Sequence, residues 1–118
     1  MRWLPLTNAD QLQDIINTSK QPGNNWAVVI FKHSTRCSIS SMALNRFESK
    51  WVDNDMIPVY YLDLLMYRDI SNEIALLFNI EHESPQVLVI KNGKCIYSAS
   101  HNGIMISEIM EAITNLAQ

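Results

Sequence analysis

The sequence predicts an α/β fold, a mixed sheet of about four strands flanked by helices on both faces. Three observations predict it. Stretches of helical apolar spacing alternate with short β-branched and aromatic runs along the 118 residues. The first two of those runs are joined through a helix, which makes them parallel with a right-handed crossover. An Asn92-Gly93 dipeptide between the last two runs requires an antiparallel hairpin. A mixed sheet accommodates both connections.

The elements follow in order. Thr7 followed by Asp10 resembles a helix-start capping box, and Leu12, Ile15 and Ile16 supply an apolar stripe. Pro22-Gly23-Asn24-Asn25 breaks it. Residues 26–31 are β-branched and aromatic, as in a strand buried on both faces. Residues 32–36 read as a polar stretch that ends at Cys37. From Ser38 onward Ile39, Met42, Ala43, Phe47 and Trp51 recur at helical spacing, and Asp53-Asn54-Asp55 ends that helix. Residues 57–62 form the second buried strand. Residues 69–78 form a short helix with Ile74, Leu77 and Phe78 facing inward. A loop over 81–84 leads into Pro85, the third strand over 86–90, the Asn-Gly turn and the returning strand over 95–100. Gly103 breaks the pattern, and Ile106, Ile109, Met110, Ile113 and Leu116 mark a closing amphipathic helix. Helix, strand, helix, strand, helix, strand, strand, helix is the order of a thioredoxin-like fold, read here as one domain over 1–118. Trp26 and Trp51 read as core residues, with Trp3 packing over the N-terminal edge. Met42, Met56, Met66, Met105 and Met110 are scattered and read as core fillers.

The chain is long enough to bury a core without disulfide or metal staples. A net charge of -3 and the lack of any Lys/Arg run argue against nucleic acid or an anionic membrane as partner. No apolar stretch reaches the roughly 18 residues of a membrane helix. The segment Met1-Arg2-Trp3-Leu4-Pro5 lacks the apolar core of a signal peptide. The expectation is a cytoplasmic protein. Only 18% of residues are charged, which leaves room for a sticky face or a homo-oligomer. Two cysteines are too few for a secreted disulfide scaffold.

Cys37 carries the chemistry. It stands where a buried strand meets an amphipathic helix, near unpaired N–H groups and the positive end of the helix dipole. Both favour the thiolate, which is the nucleophile. Arg36 and Lys32 add positive charge. Three residues on, where a dithiol oxidoreductase has its second cysteine, stands Ser40. Its hydroxyl is placed to donate a hydrogen bond to the thiolate, which suits a monothiol mechanism completed by an outside thiol. Ser84-Pro85 precedes the third strand. A cis bond there leaves the Ser84 backbone free to pair with an extended peptide or the amide of a small thiol beside Cys37.

The segment Lys32-His33-Ser34-Thr35-Arg36-Cys37-Ser38-Ile39-Ser40 resembles the active-site segment of the YtxJ family, thioredoxin-like proteins also called monothiol bacilliredoxins. Glu81-His82-Glu83-Ser84-Pro85-Gln86 and Asn92-Gly93 are similar to the family's cis-proline segment and hairpin, so the resemblance spans nearly the whole chain. The family usually carries Thr-Cys-Pro-Ile-Ser. Here Arg36 replaces the threonine and Ser38 the proline. Ser38 gives up the fixed backbone angle proline lends to a first helical turn, and Arg36 adds a charge beside the thiol. The resemblance implies that Cys37 removes bacillithiol, or a similar low-molecular-weight thiol, from oxidised protein cysteines. The partners implied are S-thiolated proteins, the small thiol as co-substrate and a reductase. No bound cofactor is expected.

Other readings attach to the same residues. Cys95 alternates with Ile96 and Tyr97 and reads as a core or sheet-face thiol, not a resolving cysteine. His33 tunes the thiol or is an ordinary loop histidine, and His82 organises the loop before Pro85. No Cys-x-x-Cys or His-x-x-x-His spacing offers a zinc site. Monothiol glutaredoxins hold an iron–sulfur cluster through Cys-x-x-Ser, but their Gly-Phe is replaced here by Ser38-Ile39. The functional alternatives are a non-catalytic thioredoxin-like binding module and a redox sensor in which Cys37 is oxidised and then capped by a small thiol.

Overall fold

Strand β2 (Val28–His33) lies at the centre of a mixed sheet, and every one of its residues is buried. It runs parallel to β3 (Val59–Asp63) on one side and antiparallel to β4 (Gln86–Lys91) on the other. The sheet continues to β5 (Lys94–Ser100) at one edge and to β1 (Trp3–Pro5) at the other, in the order β1-β3-β2-β4-β5. The computed structural model describes residues 1–23 and 25–115. Asn24 and Leu116, both used in the sequence reading, lie outside the described residues.

The sheet therefore has five strands among the described residues, not about four. The additional strand, β1, has three residues and ends at Pro5, which is too short to show a period. It pairs in parallel with β3, Trp3 opposite Val59. Edge strands are where proline is tolerated, since one side needs no N–H.

Strand alternation sends Val29 and Phe31 to one face and Val28 and Ile30 to the other. On the first face lie helices α2 (Ser38–Lys50) and α4 (Ile106–Asn115), through Ala43, Phe47, Ile109 and Ile113. Phe47 stacks on Trp51 at 5.2 Å, and its ring meets Phe31 edge-on at 5.4 Å. Trp3 stacks on Phe47 at 5.5 Å, so the short edge strand is fastened into the core. On the second face lie α1 (Asp10–Ser19) and α3 (Arg68–Phe78), through Leu12, Ile15, Ile70, Ile74 and Phe78.

Several expectations shift. The α1 cap is not Thr7 with Asp10. Asn8 and Gln11 exchange the reciprocal bonds instead, Gln11 N–H to Asn8 Oδ1 at 3.2 Å and Asn8 N–H to Gln11 Oε1 at 3.1 Å. Helix α2 stops at Lys50, before the Asp53-Asn54-Asp55 cluster, because Trp51 already has an extended backbone that turns its ring onto Phe47. Leu77 is 48% exposed, since α3 buries the stripe Ile70, Ile74, Phe78. The methionines are not all core fillers. Met42 is 64% and Met66 71% exposed, and Met56 and Met105 also face solvent. The Asn92-Gly93 turn closes the β4–β5 hairpin with both residues at positive φ, 54° and 76°. It is tied to α1 by the Gly93 N–H to Ser19 Oγ bond at 2.9 Å.

Candidate active site around Cys37

The C-terminal end of β2 does not stop where the polar residues begin. Lys32 and His33 continue the strand and are buried, contrary to their reading as part of a polar loop. Alternation sends them to opposite faces. His33 points toward α2, and Lys32 points toward α3. After a short turn over 34–36, Cys37 occupies the N-cap of α2 with β-region angles of φ -111° and ψ 121°. Its side chain makes no capping bond, it is half-buried, and its thiol has no hydrogen-bond partner among the described residues. The turn is closed by Cys37 N–H donating to Ser34 O at 3.2 Å.

Ser40 is fully buried one turn into α2. Its hydroxyl oxygen accepts the Ser34 N–H at 3.0 Å and lies 2.7 Å from His33 Nδ1. Its hydrogen-bond partners among the described residues are therefore His33 and Ser34, and the bond to Cys37 expected from spacing is not one of its contacts. Ser34 is the shared piece. Its carbonyl holds the Cys37 N–H, and its N–H is held by Ser40.

Burial pushes the His33 imidazole below the ordinary histidine range, against the opposing pull of the Asp63 and Glu48 carboxylates. Arg36 is exposed in the turn just before Cys37. Lys32 does not contribute its charge beside the thiol. Its ammonium donates to Ser71 O at 3.1 Å and lies 3.3 Å from His82 Nδ1, on the α3 side. His82 also contacts Ser71 Oγ at 3.2 Å, which fixes the loop that leads to Pro85.

The β2–β4 register places Lys32 opposite Gln86. One residue further along each strand, Pro85 comes beside His33, and Ser84 beside the turn that carries Cys37. The Ser84–Pro85 bond is cis. The Ser84 hydroxyl is buried and has no hydrogen-bond partner among the described residues, and its main chain makes none there either. The Pro85 carbonyl accepts the His101 N–H at 3.1 Å, a contact that sequence reasoning left unplaced. His101 takes φ 54°, so the hairpin's return bends back against the proline.

Cys95 is elsewhere. It pairs with Ile90, which pairs with Val28 at the start of β2. That is five residues, about 16 Å of strand, from His33. It packs with the cluster on the α1 and α3 face, away from α2. Burial pushes its thiol up, partly offset by hydrogen bonds with the main chain of Tyr97 and Val89. Its Sγ–H donates to Tyr97 O at 3.3 Å. No group of three His, Cys, Asp or Glu side chains is arranged to hold a metal ion among the described residues. No described helix is long and apolar enough to cross a membrane.

A single thiol at a helix start, with a cis-proline beside the strand end that leads to it, is the geometry of thioredoxin-fold redox sites. The family model described as Monothiol bacilliredoxin BrxC matches residues 4–109. The chain belongs to the monothiol bacilliredoxin family. Solved structures share the thioredoxin-like fold. A candidate oxidoreductase with a thioredoxin fold is 33% identical, with 92% of this chain and 91% of that one covered and a TM-score of 0.77. The thioredoxin of Malassezia sympodialis is 23% identical, with 99% and 92% covered and a TM-score of 0.69. The thioredoxin of Fasciola hepatica is 19% identical, with 98% of each chain covered and a TM-score of 0.68. The last two share the fold. The bacilliredoxin family and the thioredoxin-like fold together assign this chain to thiol redox chemistry.

Proposed function

We propose that this bacilliredoxin is a monothiol exchanger that removes bacillithiol, or a similar low-molecular-weight thiol, from oxidised protein cysteines through Cys37. One observation carries the reading. Cys37 is half-buried at the N-cap with a free sulfur, while the other thiol lies at the far end and on the opposite face of the sheet. An internal disulfide between them is out of reach without rebuilding the fold.

The Cys37 thiolate attacks the small-thiol sulfur of a protein mixed disulfide. A sulfur–sulfur bond forms between Cys37 and the small thiol, and the protein's sulfur–sulfur bond breaks. The protein sulfur leaves with the electron pair and takes a proton from solvent. A second small thiol, as thiolate, then attacks the adduct at the small-thiol sulfur, giving the symmetric small-thiol disulfide and returning Cys37 as thiolate. A separate reductase regenerates the small thiol. Ser84, with its main chain unpaired and its register beside the turn that leads to Cys37, is the group available to an incoming peptide or amide, next to Pro85. Arg36 is the exposed cation nearest in sequence, available to an acidic substrate group. The reducing cytoplasm is the compartment where this chemistry has its thiol supply.

The test is release of a protein thiol from a substrate carrying one S-bacillithiolated cysteine. Wild type and Cys95→Ser are expected to release it at similar rates in the presence of bacillithiol, and Cys37→Ser not at all. Equal losses in the two variants would overturn the monothiol scheme. Release unchanged by Cys37→Ser would leave a thioredoxin-like binding module.

A further inference from the structure

We propose that His33 is a positioning residue whose imidazole tautomer decides whether the Ser40 hydroxyl is available to Cys37. This deepens the exchange reading and rests on Cys37 as its attacking thiolate.

A serine hydroxyl has one proton to give and two lone pairs to receive. One lone pair of buried Ser40 is filled by the Ser34 N–H at 3.0 Å. His33 Nδ1, at 2.7 Å, takes either the proton or the second lone pair, and the two choices exclude each other. With Nδ1 unprotonated, Ser40 donates to the imidazole and has nothing left for sulfur. With a proton on Nδ1, both lone pairs of Ser40 are filled and its own O–H must point elsewhere. Cys37 is three residues earlier on the same helix. Its N–H is tied to Ser34 O at 3.2 Å and its carbonyl to the Ser41 N–H at 3.0 Å. Thiol and hydroxyl therefore share one fixed turn, and an anionic sulfur there is the acceptor that the freed O–H meets.

The tautomer of a histidine is set by what its other nitrogen bonds. The His33 side chain has no hydrogen bond besides Ser40 among the described residues, so Nε2 is pinned by nothing. The surrounding groups are the Tyr61 ring at 5.7 Å on β3, the Asp63 carboxylate on β3 and the Glu48 carboxylate on α2. Glu48 is itself engaged by Trp3 Nε1 at 2.8 Å. The imidazole is free to follow the charge on sulfur. With Cys37 as thiol or mixed disulfide, the proton stays on Nε2 and Ser40 points to Nδ1. With Cys37 as thiolate, the proton moves to Nδ1 through solvent exchange and Ser40 turns to the sulfur. The ring's proton count is unchanged.

Long-range ¹H–¹⁵N correlation of the imidazole reads the tautomer directly. The expected result is Nδ1–H in reduced wild type at a pH where Cys37 is thiolate. Nε2–H is expected in the Cys37 mixed disulfide and in Cys37→Ala. In Ser40→Ala the tautomer should not respond to Cys37. One tautomer throughout, or a response that survives in Ser40→Ala, would overturn the proposal. A kinetic arm uses Cys37 alkylation at pH 6. Losing a hydrogen bond to a charged group lowers the thiolate fraction about tenfold. The greater nucleophilicity of the more basic thiolate recovers about threefold. Ser40→Ala should slow alkylation by about threefold, whereas His33→Phe removes the competing acceptor, leaves the Ser40 O–H to the sulfur and should not slow it, and the double variant should match Ser40→Ala. A loss in His33→Phe as large as that in Ser40→Ala, or a further loss in the double variant, would contradict the competition. Formation of a small-thiol adduct on Cys37 is scored separately, so the exchange reading stands or falls apart from this one.

Discussion

Burying Lys32 should make the protein less stable at neutral pH than it would be with an apolar residue there. The side chain is fully buried. No carboxylate lies within ion-pair distance of it among the described residues, and its contacts are Ser71 O and His82 Nδ1. Burial lowers the ammonium from the ordinary lysine value of 10.5 to about 8. That difference disfavours the charged native form by about 3 kcal/mol relative to the unfolded chain. The cost is complete below about pH 8, where both states hold the proton. It fades as pH rises toward 10.5, because the native state sheds its proton first. Lys32→Met keeps the apolar stem and removes the charge. It also loses two hydrogen bonds worth about 1 kcal/mol each, which leaves a net gain of about 1 kcal/mol at pH 7. The pH dependence is the sharper quantity. Urea unfolding of both proteins from pH 7 to pH 10.5 should show the variant's relative stability falling by about 2–3 kcal/mol, with m unchanged. Titration of groups remote from Lys32 cancels in that comparison. A difference that stays constant across the range would refute the assignment of a disfavoured buried charge.

Other outcomes follow from the same structure. His82 is pushed below the ordinary histidine range by burial, then by the Lys32 and Arg68 charges, against Glu83. The unfolded chain therefore binds protons more readily than the native one, and stability should fall as pH drops below about 6.5. In His82→Asn the acid limb of a thermal-melting series should be flatter, and an unchanged limb would remove His82 from that role. Phe47→Ala opens the stack among Trp3, Phe31 and Trp51 and should cost about 3–4 kcal/mol in denaturant unfolding. Ile39 and Met42 leave 51% and 64% of their surface in water on the first turns of α2 after Cys37. Ile39→Asp with Met42→Asp should slow exchange with protein mixed disulfides several-fold and spare exchange with a small disulfide. Equal slowing of both would mean that these side chains do not contact the protein substrate.

The fold was legible because its signals are periodic or obligatory. The alternating β-branched runs, the Asn92-Gly93 turn and the helical spacing of Phe47 and Ile109 each admit few alternatives. Strand β1 was not legible, because three residues ending in proline carry no period, and its anchoring depends on the Trp3 ring reaching Phe47 from 44 positions away in sequence. Cys37 and the cis Ser84–Pro85 bond were legible from local chemistry and from the resemblance. The His33–Ser40 contact was not. Lys32 and His33 look like loop residues by polarity, and only the β2–β3 and β2–β4 registers keep them in the central strand and divide them between its faces. A polar pair that ends a fully apolar strand is the signal that could have found them, since such residues need buried partners.

In the exchange proposed, Cys37 alone takes up the small thiol. Reduced protein mixed with an S-bacillithiolated substrate, quenched by acid and digested, gives that answer by peptide mass spectrometry. One bacillithiol is expected on the peptide containing Cys37, with Cys95 unmodified and the adduct discharged by added bacillithiol. An adduct on Cys95, a Cys37–Cys95 disulfide, or no adduct on either cysteine would contradict it.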